Sequence, residues 1–385
     1  MKRITIVLGV LACTSLSFLS GDALEKEAHE GTFIYGTPNI RSMSKLTFGP
    51  DGILFLGDSK GASVYAFDFK DDKKPSSAAP IDIRDIDQKI GALLGRPRKD
   101  ILIHDLAVNP ISQNIYCTVS YGGSNSRERD IFDPNYLNDA TLLMKISPQG
   151  KISEVSLEGV YYNQLKLSGA FTPSAKWRSG RSKNTATIRY LVYDNGQLYI
   201  SGLSNEEFSS TFRVAQFPFD QQHSTTGVEF YHGAHGQYET SSPINTFIKY
   251  QINGQQHLLA AYSCTPLITI PLVDLRDGGK IRARTVAEIG PGSHPIDIRT
   301  YRKKGEEYIL IANSKRGLIQ MRPADLAAQR KSINYPTSRA GVHYKTLIPG
   351  SHIRQMDNLN ENYVVLLTKN KREGFDLTSL NVNTL

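Results

Sequence analysis

The sequence predicts an all-β fold on three observations. First, a unit recurs about six times after residue 30: a β-rich run, a turn, a second apolar run, a short polar Ser/Asn/Lys loop and a third strand. Its clearest copy is Leu46-Thr-Phe-Gly-Pro-Asp-Gly-Ile-Leu-Phe-Leu-Gly-Asp58, followed by Val64-Tyr-Ala-Phe-Asp68. Second, apolar residues within the runs alternate, the period of a strand with one buried face. Third, turn chemistry separates the runs, as in Gly49-Pro-Asp-Gly52 and the hairpin signal Asp194-Asn-Gly196. Divergent repeats of four short strands close into a β-propeller. Six blades account for the chain, and seven is the alternative if a long connection hides one.

Strands are lettered a to d from the channel outward. Blade one covers residues 42–84. Blade two has strands at 106–108, 115–119, 142–146 and 152–157. Blade three follows at 188–193, 198–202, 211–216 and 228–231, and blade four at 245–250, 257–262, 267–270 and 284–289. Blade five runs through 296–301, 308–312, 317–321 and 343–347. Blade six has only three strands, at 353–359, 363–367 and 375–380, before the sequence ends. The N-terminal strand Gly31-Thr-Phe-Ile-Tyr35 is expected to supply the missing strand of that last blade and so close the ring, because closure removes an exposed edge.

Residues 1–23 read as a secretory signal peptide: Lys2 and Arg3, then a mostly apolar stretch from Ile4 to Leu19, then small residues before Ala23. The remaining residues, 24–385, form a single propeller domain in this reading. The apolar stretch is too short for a good membrane span, so the mature chain carries no transmembrane segment and is expected to be periplasmic or secreted. The alternative is a lipid anchor at Cys13, in Val10-Leu-Ala-Cys13. Beyond the leader lie Cys117, mid-strand, and Cys264, at a strand end. Non-adjacent blades hold them beyond disulfide reach, which leaves two free thiols. The net charge of +8 favours a small anionic or polar ligand, or a periplasmic protein partner, and the leader argues against nucleic acid.

In a propeller the d/a and b/c loops share one face. The long insertions, at residues 84–99, 121–139, 159–187 and 221–242, are all of these kinds, so that face is expected to be the working one. Residues 84–95 read as a short amphipathic helix. His104, His294 and His352 each open a strand a and align at one position at the channel mouth, where three imidazoles suit a transition metal or general-base catalysis. His232, His235 and Glu239 form an H-x-x-H-x-x-x-E pattern in a glycine-rich loop and are further candidate metal ligands. Among the b/c loops, Lys60, Lys315 and Arg316 are candidates for an anionic ligand, and Asp58, Asn205 and Glu206 for a hard cation. Cys264 is read as a soft metal ligand or a nucleophile, without a catalytic spacing to support the second.

Blade one resembles the repeat of six-bladed propellers of the gluconolactonase, strictosidine synthase and paraoxonase kind, on Leu46 to Asp58 and Val64 to Asp68. The resemblance covers that blade well and the others in outline. It implies a six-bladed ring with a calcium-type metal held in the channel by Glu, Asn and Asp. Here the strand-a positions carry histidine instead. Soluble quinoprotein dehydrogenases share the six-blade plan, with His and Arg meeting a quinone. The expectation is a divalent metal ion of open identity and a metal-dependent hydrolase, lactonase- or esterase-like. The alternatives are a non-catalytic binding propeller and a quinone-dependent dehydrogenase.

Overall fold

The computed structural model describes residues 32–77, 79–121, 141–178, 180–350 and 352–385. The leader, the Cys13 site and most of the 121–139 insertion lie outside the described residues. Six sheets, antiparallel apart from the parallel pairing of Ser224–His232 with Gly279–Arg282, make six blades. Alternation places the strands where the sequence puts them: blade two is Leu102–Val108, Ile115–Ser120, Thr141–Ile146 and Ile152–Val155, each within a few residues of expectation. The Asp194-Asn-Gly196 turn has Asn195 at φ 46° and Gly196 at φ 78°, the pair of positive values that a two-residue hairpin turn requires. The expected helix is Ile86–Leu94, with Ile86 and Ile90 fully buried.

The closing strand is not the expected one. The fourth strand of blade six is Asp82–Ile83, which pairs with Phe375–Asn381. The N-terminal strand Ile34–Gly36 instead lies outermost on blade one, paired to Val160–Lys166, which is that blade's own strand d. Two residues are too few to show a period. Both outer strands come from the connections that flank blade two in the chain, so sequence order misassigns them.

The blades do not follow one another around the ring in chain order. Inner strands neighbour in the order two, one, three, four, five, six and back to two. A closed ring of six blades has six seams, and six apolar clusters fill them. Blades one and two share Leu54, Phe67, Tyr116 and Leu143, whereas blades two and six share Ile103, Cys117, Val365 and Leu377 with the helix. Cys117 is 1% exposed and free, as its mid-strand position predicts, and burial raises its thiol pKa.

Around the channel, side chains of one inner strand accept the backbone N–H of the next. Asp105 accepts from Leu46 at 2.8 Å, Asp357 from Val108 at 2.8 Å, Asp297 from Met356 at 2.8 Å and Thr246 from Ile298 at 3.2 Å. This seals strand edges that would otherwise be unpaired. Tyr190 of blade three reaches past the inner strand of blade four to Asp297 of blade five at 2.8 Å, and Arg299 bonds Asp357 at 2.6 Å.

Candidate functional site

The inner strands carry β-bulges, and these reset the alignment of the three strand-a histidines. The register shifts fall between Ile103 and Asp105, Ile244 and Thr246, Pro295 and Asp297, and Ile353 and Gln355. His104 is itself the bulged residue, while His294 and His352 sit two positions before theirs. So His294 and His352 are equivalent to each other, and Leu102 is their counterpart in blade two. His104 is buried, with Nε2 2.6 Å from Ser120 Oγ; burial, with Lys45 nearby, lowers its pKa to about 4. His294 is exposed and its Nδ1 meets the carbonyl of Ser263; His352 is exposed beside Gly350. Among the described residues the three do not form a group with metal-holding spacing.

The residues that do converge lie at the seam of blades three and four, on the loop-rich face. Strand d of blade three, Ser224–His232, turns sharply and returns as Gln237–Glu239. Gly236 N donates to His232 O at 2.8 Å to close the turn. Phe230 pairs with Glu239 in this hairpin, and His232 lies two residues beyond Phe230. Period-two alternation therefore puts His232 and Glu239 on one face. Phe230 stacks on Tyr262 at 3.5 Å between centroids, and Tyr262 ends strand b of blade four. The next loop, Ser263-Cys-Thr265, thus lies against the hairpin.

His232 is 1% exposed and spans both elements. Its Nδ1 is 3.0 Å from Glu239 Oε1 and its Nε2 is 3.2 Å from Thr265 Oγ1, and Cys264, which precedes Thr265 in the chain, lies near enough to influence the ring electrostatically. His235, half-exposed, places Nδ1 2.5 Å from the same Glu239 oxygen. Thr265 donates its hydroxyl proton to the buried Glu288, which also accepts Gly233 N at 2.6 Å. A side chain at position 233 would meet Thr337 O at 2.7 Å and Glu288 at 3.0 Å, so only glycine fits there.

Those partners fix the protons on His232. Glu239 is an acceptor and needs Nδ1–H. Thr265 has given its proton to Glu288 and accepts from Nε2–H. Burial opposes a charge on His232, but Cys264 and Glu239 outweigh it and raise its pKa to about 9. Burial likewise opposes ionisation of Glu239, which the two histidines more than offset, holding its pKa at about 2. The nearby His232 lowers the Cys264 thiol pKa, whereas burial raises that of Glu288. A thiol, an imidazole and a carboxylate in series are the parts of nucleophilic catalysis. Ligand atoms of His232, His235 and Glu239 also lie within 4.8 Å of one another, a spacing that suits a cation.

The other predicted residues are dispersed. Lys60 belongs to blade one, and Lys315 and Arg316 to blade five, on opposite sides of the ring. Arg316 lies over Gly290, where an added Cβ would come 2.0 Å from its guanidinium, and its Nε is buried without a hydrogen-bond partner. Asp58 accepts from Arg41 N, Ser42 Oγ and Gly61 N, each at 2.8 Å, which is turn chemistry. Glu288 belongs to no motif of the sequence. Its signal is an acidic residue at a buried position of an otherwise apolar strand end, Thr285-Val-Ala-Glu-Ile289.

No protein-family model matches the chain, and no curated protein matches it in sequence. Among solved structures it is similar to the extracellular domains 1-2 of Drosophila Semaphorin 1b, at 9% identity and TM-score 0.38, covering 90% of this chain and 86% of that one. It is also similar to a putative oxidoreductase (glucose dehydrogenase) of Thermus thermophilus, at 11% identity and TM-score 0.32, covering 90% of this chain and 100% of that one. No helix among the described residues is long and apolar enough to cross a membrane.

Proposed function

We propose that this is an exported hydrolase of the lactonase or esterase class, acting on a small polar or anionic molecule through a thiol nucleophile. The observation that carries this reading is His232 held on the Glu239 carboxylate through Nδ1, in the same seam as the Cys264 thiol whose pKa the imidazole lowers. Cys264 thiolate attacks the acyl carbonyl, and the resulting alkoxide leaves with the proton of His232 Nε2. Water then adds to the thioester, giving a proton back to His232, and the acid departs as the thiolate re-forms. Glu239 orients the imidazole and stabilises its charge. His294, on the carbonyl of Ser263, flanks the nucleophile from blade five. The ester chemistry implied by the gluconolactonase-like resemblance is retained, but the nucleophile moves from the channel to a blade seam.

The test is turnover of a p-nitrophenyl ester together with iodoacetamide labelling of Cys264. Cys264→Ser should abolish both, and His232→Gln should lower each by about 10²-fold or more. Full ester turnover by Cys264→Ser would overturn the reading. The 4.8 Å grouping of His232, His235 and Glu239 favours a second reading, a divalent-metal hydrolase at the same seam. His235→Ala separates the two: the thiol reading keeps iodoacetamide labelling, and the metal reading loses bound metal and turnover together.

A further inference from the structure

Between Glu158 and Asp194 there is no acidic residue, while Lys166, Lys176, Arg178, Arg181, Lys183 and Arg189 all fall in that interval. Within it, residues 172–178 and 180–183 face one another as two short arms. Lys176 bridges Ser182, Trp177 N donates to Arg181 O at 2.8 Å, and Lys183 N donates to Ala175 O at 2.8 Å. The segment leaves strand d of blade one and enters strand a of blade three, so it stands on the loop-rich face. Lys166, Lys176 and Arg178 are exposed, and among the described residues they form no salt bridge. Of the acidic residues in the adjoining loop, Glu206 lies near Gly169, before the first arm, and Glu207 is bonded by Lys280.

We infer that this segment is a docking surface for an acidic polysaccharide. Like charges with no acidic residue among them in the chain cost stability unless a counter-charge joins them. The aromatic residues choose among polyanions. Trp177 and Phe171 are half-buried, and Lys183 covers the Phe171 ring at 4.9 Å from its centroid. None of the exposed large apolar side chains belongs to the two arms. The segment therefore offers no wedge for a bilayer and no open ring for base stacking. What it offers is exposed guanidinium and ammonium groups, which match repeated carboxylates or sulfates. Preferring a glycan over nucleic acid rests on the export proposed above.

The test uses the full mature chain with heparin, polygalacturonate, phosphatidylserine vesicles and single-stranded DNA, read by binding isotherms at several salt concentrations. One of the two glycans should bind most tightly and weaken as salt rises. The Lys176→Gln/Arg178→Gln double variant should bind it about five-fold or more weakly with an unchanged melting temperature. Binding to neither glycan, equal binding by the double variant, or tighter binding to vesicles or DNA would each overturn the inference. Iodoacetamide labelling of Cys264 in the double variant should equal that of the parent, so a failure here is distinct from a failure of the thiol reading.

Discussion

His232 and His104 are both buried imidazoles, and their neighbours drive them in opposite directions. His232 meets a carboxylate, with a thiol nearby, and is held charged. His104 meets one serine hydroxyl, with Lys45 nearby, and is held neutral. The sequence shows that His232, His235 and Glu239 lie close along the chain, but not that Cys264 lies near them, because that approach depends on the Phe230–Tyr262 stack across a seam. Glu288 was illegible for the same reason: strand pairing, not spacing, brings it to Thr265. For His104 the burial has a pH consequence. Its folded pKa of about 4 lies below the ordinary value of 6.5, so the folded state binds fewer protons between those values. Its contribution is present above pH ~6.5 and is lost as pH falls toward ~4. Burial raises the neighbouring Asp105 to about 6, which acts in the opposite sense. The clean comparison is therefore with His104→Gln, which keeps Asp105. Between pH 7 and pH 4.5 the parent should lose about 2–3 kcal/mol more stability than this variant by urea denaturation. Equal losses would remove the neutral-histidine argument.

At the scale of elements, long alternating strands were legible and short outer ones were not. Blades two to five, and the three inner strands of blade six, follow from period and turn chemistry, because an inner strand lies between two apolar seams. The outermost strand of a blade has one partner and few constraints. Asp82–Ile83 closes blade six with two residues, and it is held there by the helix that follows. Asp376 accepts from Asp85 N at 2.9 Å, and Asp87 accepts from Phe375 N at 3.1 Å, so the helix start is tied to strand c of blade six. Ile90 then fills the seam of blades two and six. Ile90→Ala leaves a cavity there and should cost about 2–5 kcal/mol in urea denaturation. A loss below about 1 kcal/mol would mean that the helix lies on the ring without holding it.

At the scale of the molecule, the ring order decides how the protein comes apart. Blade two, second in the chain, lies between the first blade and the last. Opening the seam of blades two and six therefore breaks the closure made by Asp82–Ile83, the acceptance of Val108 N by Asp357, and the burial of Cys117 together. Unfolding should accordingly be one cooperative event, with Cys117 as an internal reporter: its thiol should become alkylated over the same urea range in which the β-sheet circular dichroism is lost. Asp357→Ala tests the link. It removes the acceptor for Val108 N and leaves Arg299 without its carboxylate partner at 2.6 Å, and breaking a partly buried pair costs about 3–5 kcal/mol when the remaining charge stays in place. Both midpoints should then shift down together and remain coincident. If Cys117 is alkylated at lower urea than the sheet signal in the parent, the ring opens first at the two–six seam, and closure is a local lock instead of a global constraint.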